Sequence, residues 1–270
     1  MRGIFLFIIA SAGLLLSSCS QKETKPPEIL VSIPPYLYFV EVLTSGELKA
    51  ISLAPVGSNP HLYEPTPKQV QEAHKVHLWI RLNESFEKKV EKSLIEQNSN
   101  LIVVNLAEND EIPYIYEDGM SCHCSECGTK DSKDLHIWLS LKLAKIQAGI
   151  ISKALIQAFP QHKELIEKNL ISFQKELEAK DLLFTEILEP YKKKSILVSH
   201  PAFSYFCRDY GINQLAIESE GKDPRPQKLA STLALAKEAS IQTVLTQSQY
   251  NNKGAEIIAK KLDIPIHEVD

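Results

Sequence analysis

Four of the eight histidines, His61, His123, His136 and His200, fall in loops or at loop borders, within sequence rich in Pro, Gly or acidic residues. Imidazole at such places serves as a general base, a pH sensor or a metal ligand. Catalysis has little support. There is no Gly-x-Ser-x-Gly elbow, no His-Glu-x-x-His pair and no phosphate-cradling glycine loop. Ser199 adjoins His200, but neighbours in a strand point to opposite faces. The remaining histidines, His74, His77, His162 and His267, lie in contexts that suit packing or exposure. Cys122-His-Cys-Ser-Glu-Cys127 is a separate cluster. With His123, its thiolates Cys122, Cys124 and Cys127 could capture Zn2+ or Cu+, or two of them could form a local disulfide. Cys207, in apolar sequence, reads as an inert buried thiol.

The elements that must carry these groups are announced by a repeat. Ile29-Leu-Val-Ser-Ile-Pro-Pro-Tyr-Leu-Tyr-Phe-Val40 and Ile196-Leu-Val-Ser-His-Pro-Ala-Phe-Ser-Tyr-Phe-Cys207 agree at seven of twelve positions. Each reads as a buried strand, a proline that ends it, and an aromatic segment opening a helix. A repeat this far apart predicts two similarly built lobes. The copies differ at the strand end, Ile33 in one and His200 in the other, where open α/β sheets place ligands. Strands are predicted over 29–33, 49–54, 76–82, 101–106, 196–199, 214–217, 244–246 and 264–269. Helices are predicted over 36–43, from Pro67 with Thr66 as cap, and over 84–97, 141–159, 205–210, 226–239 and 253–262. Apolar spacing over 163–194 predicts one long helix kinked near Pro190. Residues 109–134 lose all periodicity and read as a long loop. Alternation of this kind argues for parallel sheets covered on both faces. The expected divisions are 28–160 for the first α/β lobe, 161–194 for a rigid connecting helix and 195–270 for the second lobe.

Residues 1–18 read as an export signal: Arg2, an apolar run too short to span a bilayer, then Leu16-Ser17-Ser18-Cys19. Cleavage before Cys19 and acylation of its thiol would leave residues 19–27 as a tether to the membrane. The formal net charge is −4, and no basic run marks nucleic-acid binding.

Three motifs carry a family resemblance: Gly57-Ser-Asn-Pro-His-Leu-Tyr-Glu-Pro-Thr-Pro67, Asp134-Leu-His-Ile-Trp-Leu-Ser140, and Val198-Ser-His-Pro-Ala-Phe-Ser-Tyr-Phe-Cys-Arg-Asp-Tyr-Gly211. In order and content they resemble the metal-binding solute-binding lipoproteins of bacterial zinc and manganese ABC importers (the cluster A-I periplasmic metal-binding family). The resemblance implies two α/β lobes joined by a long helix, with one metal ion in the cleft. It implies His61 and His136 as ligands from the first lobe, His200 from the second, and Asp270 as the fourth. Three imidazoles and a carboxylate make a tetrahedral zinc set, and nitrogen donors turn a site away from Mg2+ and Ca2+. Manganese-selective relatives tend to carry a carboxylate at the position of His200, so the resemblance favours Zn2+, with Mn2+ or Fe2+ as the alternative cargo. It implies a monomeric periplasmic or cell-envelope lipoprotein that serves an ABC permease and is not an enzyme. A surface adhesin retaining a metal site is the rival reading.

Overall fold

The computed structural model describes residues 26–115, 133–218 and 224–269. Cys19, Asp270 and the cluster Cys122, His123, Cys124 and Cys127 lie outside the described residues. Strands β1 (Ile29–Val31), β2 (Ala50–Ser52), β3 (Leu78–Arg81) and β4 (Ile102–Asn105) form one parallel sheet in the order β2-β1-β3-β4. Strands β5 (Ser195–Val198), β6 (Asn213–Ala216), β7 (Val244–Thr246) and β8 (Ile266–Glu268) form a second, in the order β6-β5-β7-β8. The two orders coincide when β5 is matched to β1, so the repeated stretch belongs to a repeated topology. The central strands β1 and β3 are buried throughout, because helices cover both faces of a parallel sheet.

The repeat extends to individual hydrogen bonds. Ser32 N donates to Ile80 O at 3.0 Å and Ser199 N to Leu245 O at 2.9 Å; Ala54 N donates to Ser32 O and Glu218 N to Ser199 O, both at 3.0 Å. Ile33 and Ala54 of the first lobe therefore correspond to His200 and Glu218 of the second. At one strand end an apolar pair stands where the other carries an imidazole and a carboxylate. A third difference accompanies them. Trp79 donates to Ser32 Oγ at 3.1 Å, whereas Val244 occupies the matching register in the second sheet.

The helices are α1 (Pro35–Thr44), α2 (Pro67–Ala73), α3 (Glu87–Gln97), α4 (Leu141–Ala158), α5 (Lys163–Leu188), α6 (Ser204–Tyr210), α7 (Pro226–Glu238) and α8 (Lys253–Leu262). Helix α2 starts as its sequence predicts: Thr66 caps it, Gln69 returns the bond in a capping box, and Pro67 takes the first turn. The predicted helix over 163–194 is shorter than its apolar spacing suggests. It ends at Leu188, and a 3-10 turn over Glu189–Tyr191 surrounds Pro190. Proline there ends the helix rather than bending it, since it lacks the N–H that would continue the ladder. Nor does α5 stand free between the lobes. It packs along α4 and α1, with Ile166, Phe173 and Leu177 buried and Phe173 edge-on to Phe39 at 5.5 Å.

The lobes interlock through α6. Tyr205, from the second lobe, is fully buried within the first lobe's core. Its hydroxyl donates to Asp134 O at 2.6 Å and accepts from Ile115 N at 3.0 Å. Ser140, which caps α4, donates to Asp209 of α6. Tyr205→Phe strips a partner from two backbone groups at once and is expected to lower stability by about 1–3 kcal/mol, read from urea unfolding; an unchanged midpoint would show that the interlock is dispensable.

Candidate metal centre

Every group at the centre comes from chain leaving the C-terminal end of a strand. His61 follows β2, Glu84 follows β3, His200 follows β5, Glu218 follows β6 and Tyr250 follows β7. His136 lies on the segment between β4 and α4. This is where parallel sheets place ligands, because the loops there are free of the constraints of the ladder.

Each motif builds one histidine. In the first, Gly57 adopts a φ of 79°, a left-handed turn that glycine accommodates without a Cβ penalty. Asn59 Oδ1 then accepts from His61 N at 2.9 Å, fixing the backbone that presents the ring. In the second, Asp134 Oδ1 accepts from both His136 N, at 2.9 Å, and His136 Nδ1, at 2.7 Å. Trp138 stands 5.2 Å from the His136 ring and Ser140 caps α4, so each polar or aromatic member of that motif has a structural task. In the third, β5 ends at Val198. Ser199 and His200 thus lie just beyond the strand, and the alternation expected of strand neighbours does not govern them. His200 Nδ1 donates to Glu218 Oε1 at 2.9 Å, and Tyr250 stacks on the ring at 4.0 Å.

The three rings meet edge to edge. His61 Nε2 lies 3.3 Å from His200 Nε2, which lies 3.1 Å from His136 Nε2, and one ligand atom from each falls within 4.8 Å of the others. His136 and His200 are buried and His61 is partly exposed. Carboxylates hold Nδ1 of His136 and of His200, so the protons sit on Nδ1 and the Nε2 lone pairs face the centre. His200 is held neutral: burial, followed by the neighbouring His136 and His61, pushes it down to about 2. The rings border a cavity of about 210 Å³ shared with Asn83, Glu84, Ser85, Lys133, Leu135 and Pro201. Burial pushes the Glu84 carboxyl up to about 7, with His136 opposing and Glu87 adding to the shift.

The other histidines among the described residues stay apart. His74 bonds Ser93 Oγ at 3.1 Å, His162 lies 3.1 Å from Glu47, and His77 and His267 are exposed. Cys207 is buried and its thiol is pushed up to about 12 by burial, as befits an inert side chain. A larger groove of about 600 Å³ between α2 and α3 includes His74 but none of the converging rings. Glu84, Glu218 and Tyr250 lie outside the three motifs, and no sequence pattern marks them. The spacing of Asp134 two residues before His136 was the one available signal.

Residues 29–270 match the family described as zinc-uptake complex component A, periplasmic. A Chlamydia trachomatis protein whose name describes metal binding is 30% identical over 98% of this chain and 91% of its own length. The high-affinity zinc uptake system protein ZnuA of Bacillus subtilis is 26% identical over 95% of this chain and 84% of its own. A crystal structure of ZnuA superposes with a TM-score of 0.80 at 31% identity, over 90% of this chain and 91% of that one. The duplicated parallel sheets, the long helix docked along α1 and α4, and the histidines gathered at the strand ends are those of a chain that belongs to the zinc-uptake component A family of solute-binding proteins.

Proposed function

We propose that this chain captures Zn2+ as cargo outside the cytoplasm and delivers it to the permease of an ABC importer, with Nε2 of His61, His136 and His200 as ligands and Asp270 as the fourth. The observation that carries the reading is the spacing of the three nitrogens. A tetrahedral ion with zinc–nitrogen bonds of ~2.0–2.1 Å needs nitrogens about 3.3–3.4 Å apart; the two pairs through His200 stand at 3.3 and 3.1 Å, and all three ligand atoms lie within 4.8 Å of one another. The nitrogen-rich donor set favours zinc over oxygen-preferring ions. The cavity is smaller than the roughly 300–1,000 Å³ typical of pockets for organic ligands, which supports an ion as cargo rather than a substrate to be transformed. Attachment by lipid at Cys19, a periplasmic or cell-envelope location and action as a monomer complete the proposal.

Metal analysis of protein purified without added metal, followed by competition among Zn2+, Mn2+ and Fe2+, tests it. One equivalent of tightly held zinc that tenfold excess Mn2+ does not displace is the expected result. Preferential retention of Mn2+ or Fe2+ would overturn the choice of cargo, and failure to bind any of the three would overturn the function.

A further inference from the structure

Glu84 is 4% exposed and lines the cavity bordered by the three histidine rings. Among the described residues, none exchanges a hydrogen bond with its carboxyl; burial and longer-range charges alone act on it. Its oxygens are not sealed in the core but open onto the cavity that the residue lines, where water or a ligand can reach them. The loop that presents it is tightly held. The Glu87 carboxylate accepts from Leu82 N at 3.0 Å, Asn83 N at 2.8 Å and Arg81 Nε at 3.0 Å. Asn83, at a φ of 65°, accepts through Oδ1 from Arg81 Nη2 at 3.0 Å and Asn105 Nδ2 at 2.8 Å. Such a loop fixes where Glu84 stands instead of letting it swing out to water.

We propose that Glu84 is a capture residue of the metal centre, accepting a hydrogen bond from a water that the bound cation takes as a fifth ligand beside the three histidines and Asp270. The proposal rests on the reading of the three histidines as ligands. Glu84 lies outside the set whose ligand atoms fall within 4.8 Å of one another, which suits contact through a water better than direct ligation. A divalent ion polarises its water, and a carboxylate is the strongest acceptor for the resulting donor. Asp134 and Glu218 act on the centre through imidazole rings, whereas Glu84 faces the ion's own hydration.

The test is zinc affinity of the full chain, by competition with a chelating dye, together with the melting temperature of the metal-free protein. Glu84→Gln keeps the shape and removes the charge. It should weaken zinc binding roughly 10- to 100-fold, the usual effect of removing an outer-shell partner, while the metal-free protein melts at the same temperature or higher. Zinc affinity within threefold of wild type would overturn the proposal. If Glu84→Gln lowers both affinity and melting temperature, Glu84→Asp decides: recovery of affinity with the charge supports the proposal, and affinity no better than the glutamine variant overturns it. A wild-type chain that binds no zinc would instead overturn the function on which the proposal rests.

Discussion

Alanine at His200 is expected to weaken zinc binding by roughly 100-fold or more, beyond the 10- to 100-fold typical of outer-shell changes. His200 Nε2 is the middle atom of the trio, within 3.3 Å of one partner and 3.1 Å of the other. Its loss removes a ligand and also the ring that Glu218 Oε1 holds at 2.9 Å. His61→Ala and His136→Ala should have effects of the same order. His74→Ala and His162→Ala should change affinity little, since neither ring belongs to the cluster. Isothermal titration of the five variants reads the difference; wild-type affinity in His200→Ala would remove this histidine from the site.

Stability of the metal-free protein should depend on two buried groups at the centre with opposite signs. His200 titrates at about 2 when folded, against ~6.5 for an unperturbed histidine. Below pH ~6.5 the unfolded chain takes a proton that the folded chain refuses, so stability falls as pH falls, by about 1.4 kcal/mol per unit. Glu84 titrates at about 7 when folded, against ~4.3 unperturbed. Above that value the unfolded chain releases a proton that the folded chain keeps, so stability falls as pH rises toward 7. Between pH ~4.5 and ~6.5 the two contributions are similar and opposite, and largely offset one another. Glu84→Gln leaves the His200 contribution unopposed, so over this interval the variant should lose stability relative to wild type as pH falls. His200→Asn should do the reverse, gaining stability relative to wild type toward acid. Urea unfolding at several pH values in the presence of a chelator measures both. Parallel pH profiles for all three proteins would contradict the assignment of these groups.

Much of the fold is legible in the sequence because its signals are local. The Ile-Leu-Val triplets, the prolines that end them and the Thr66-Pro67 start act within a few residues, and their repetition announces two lobes. Pro190 was harder to read. Whether a late proline bends a helix or ends it depends on what continues the packing beyond, and the chain beyond Leu188 turns away in a 3-10 turn. The interlock through Tyr205 was also hidden, since a buried tyrosine in an aromatic stretch could belong to either lobe. The three histidines were visible through their motifs, but the groups that orient them were not. Glu218 becomes identifiable only when β6 is aligned with β2, which places it opposite Ala54. Glu84 occupies an ordinary acidic position at the start of a helix; the role proposed for it comes from its burial and from the cavity it lines, and neither leaves a pattern in sequence.

The most direct measurement is anomalous diffraction at the zinc edge from crystals of the zinc-loaded protein. A single strong peak is predicted ~2.0–2.1 Å from Nε2 of His61, His136 and His200 together. A strong zinc peak away from these rings, with none between them, would contradict the three-histidine centre.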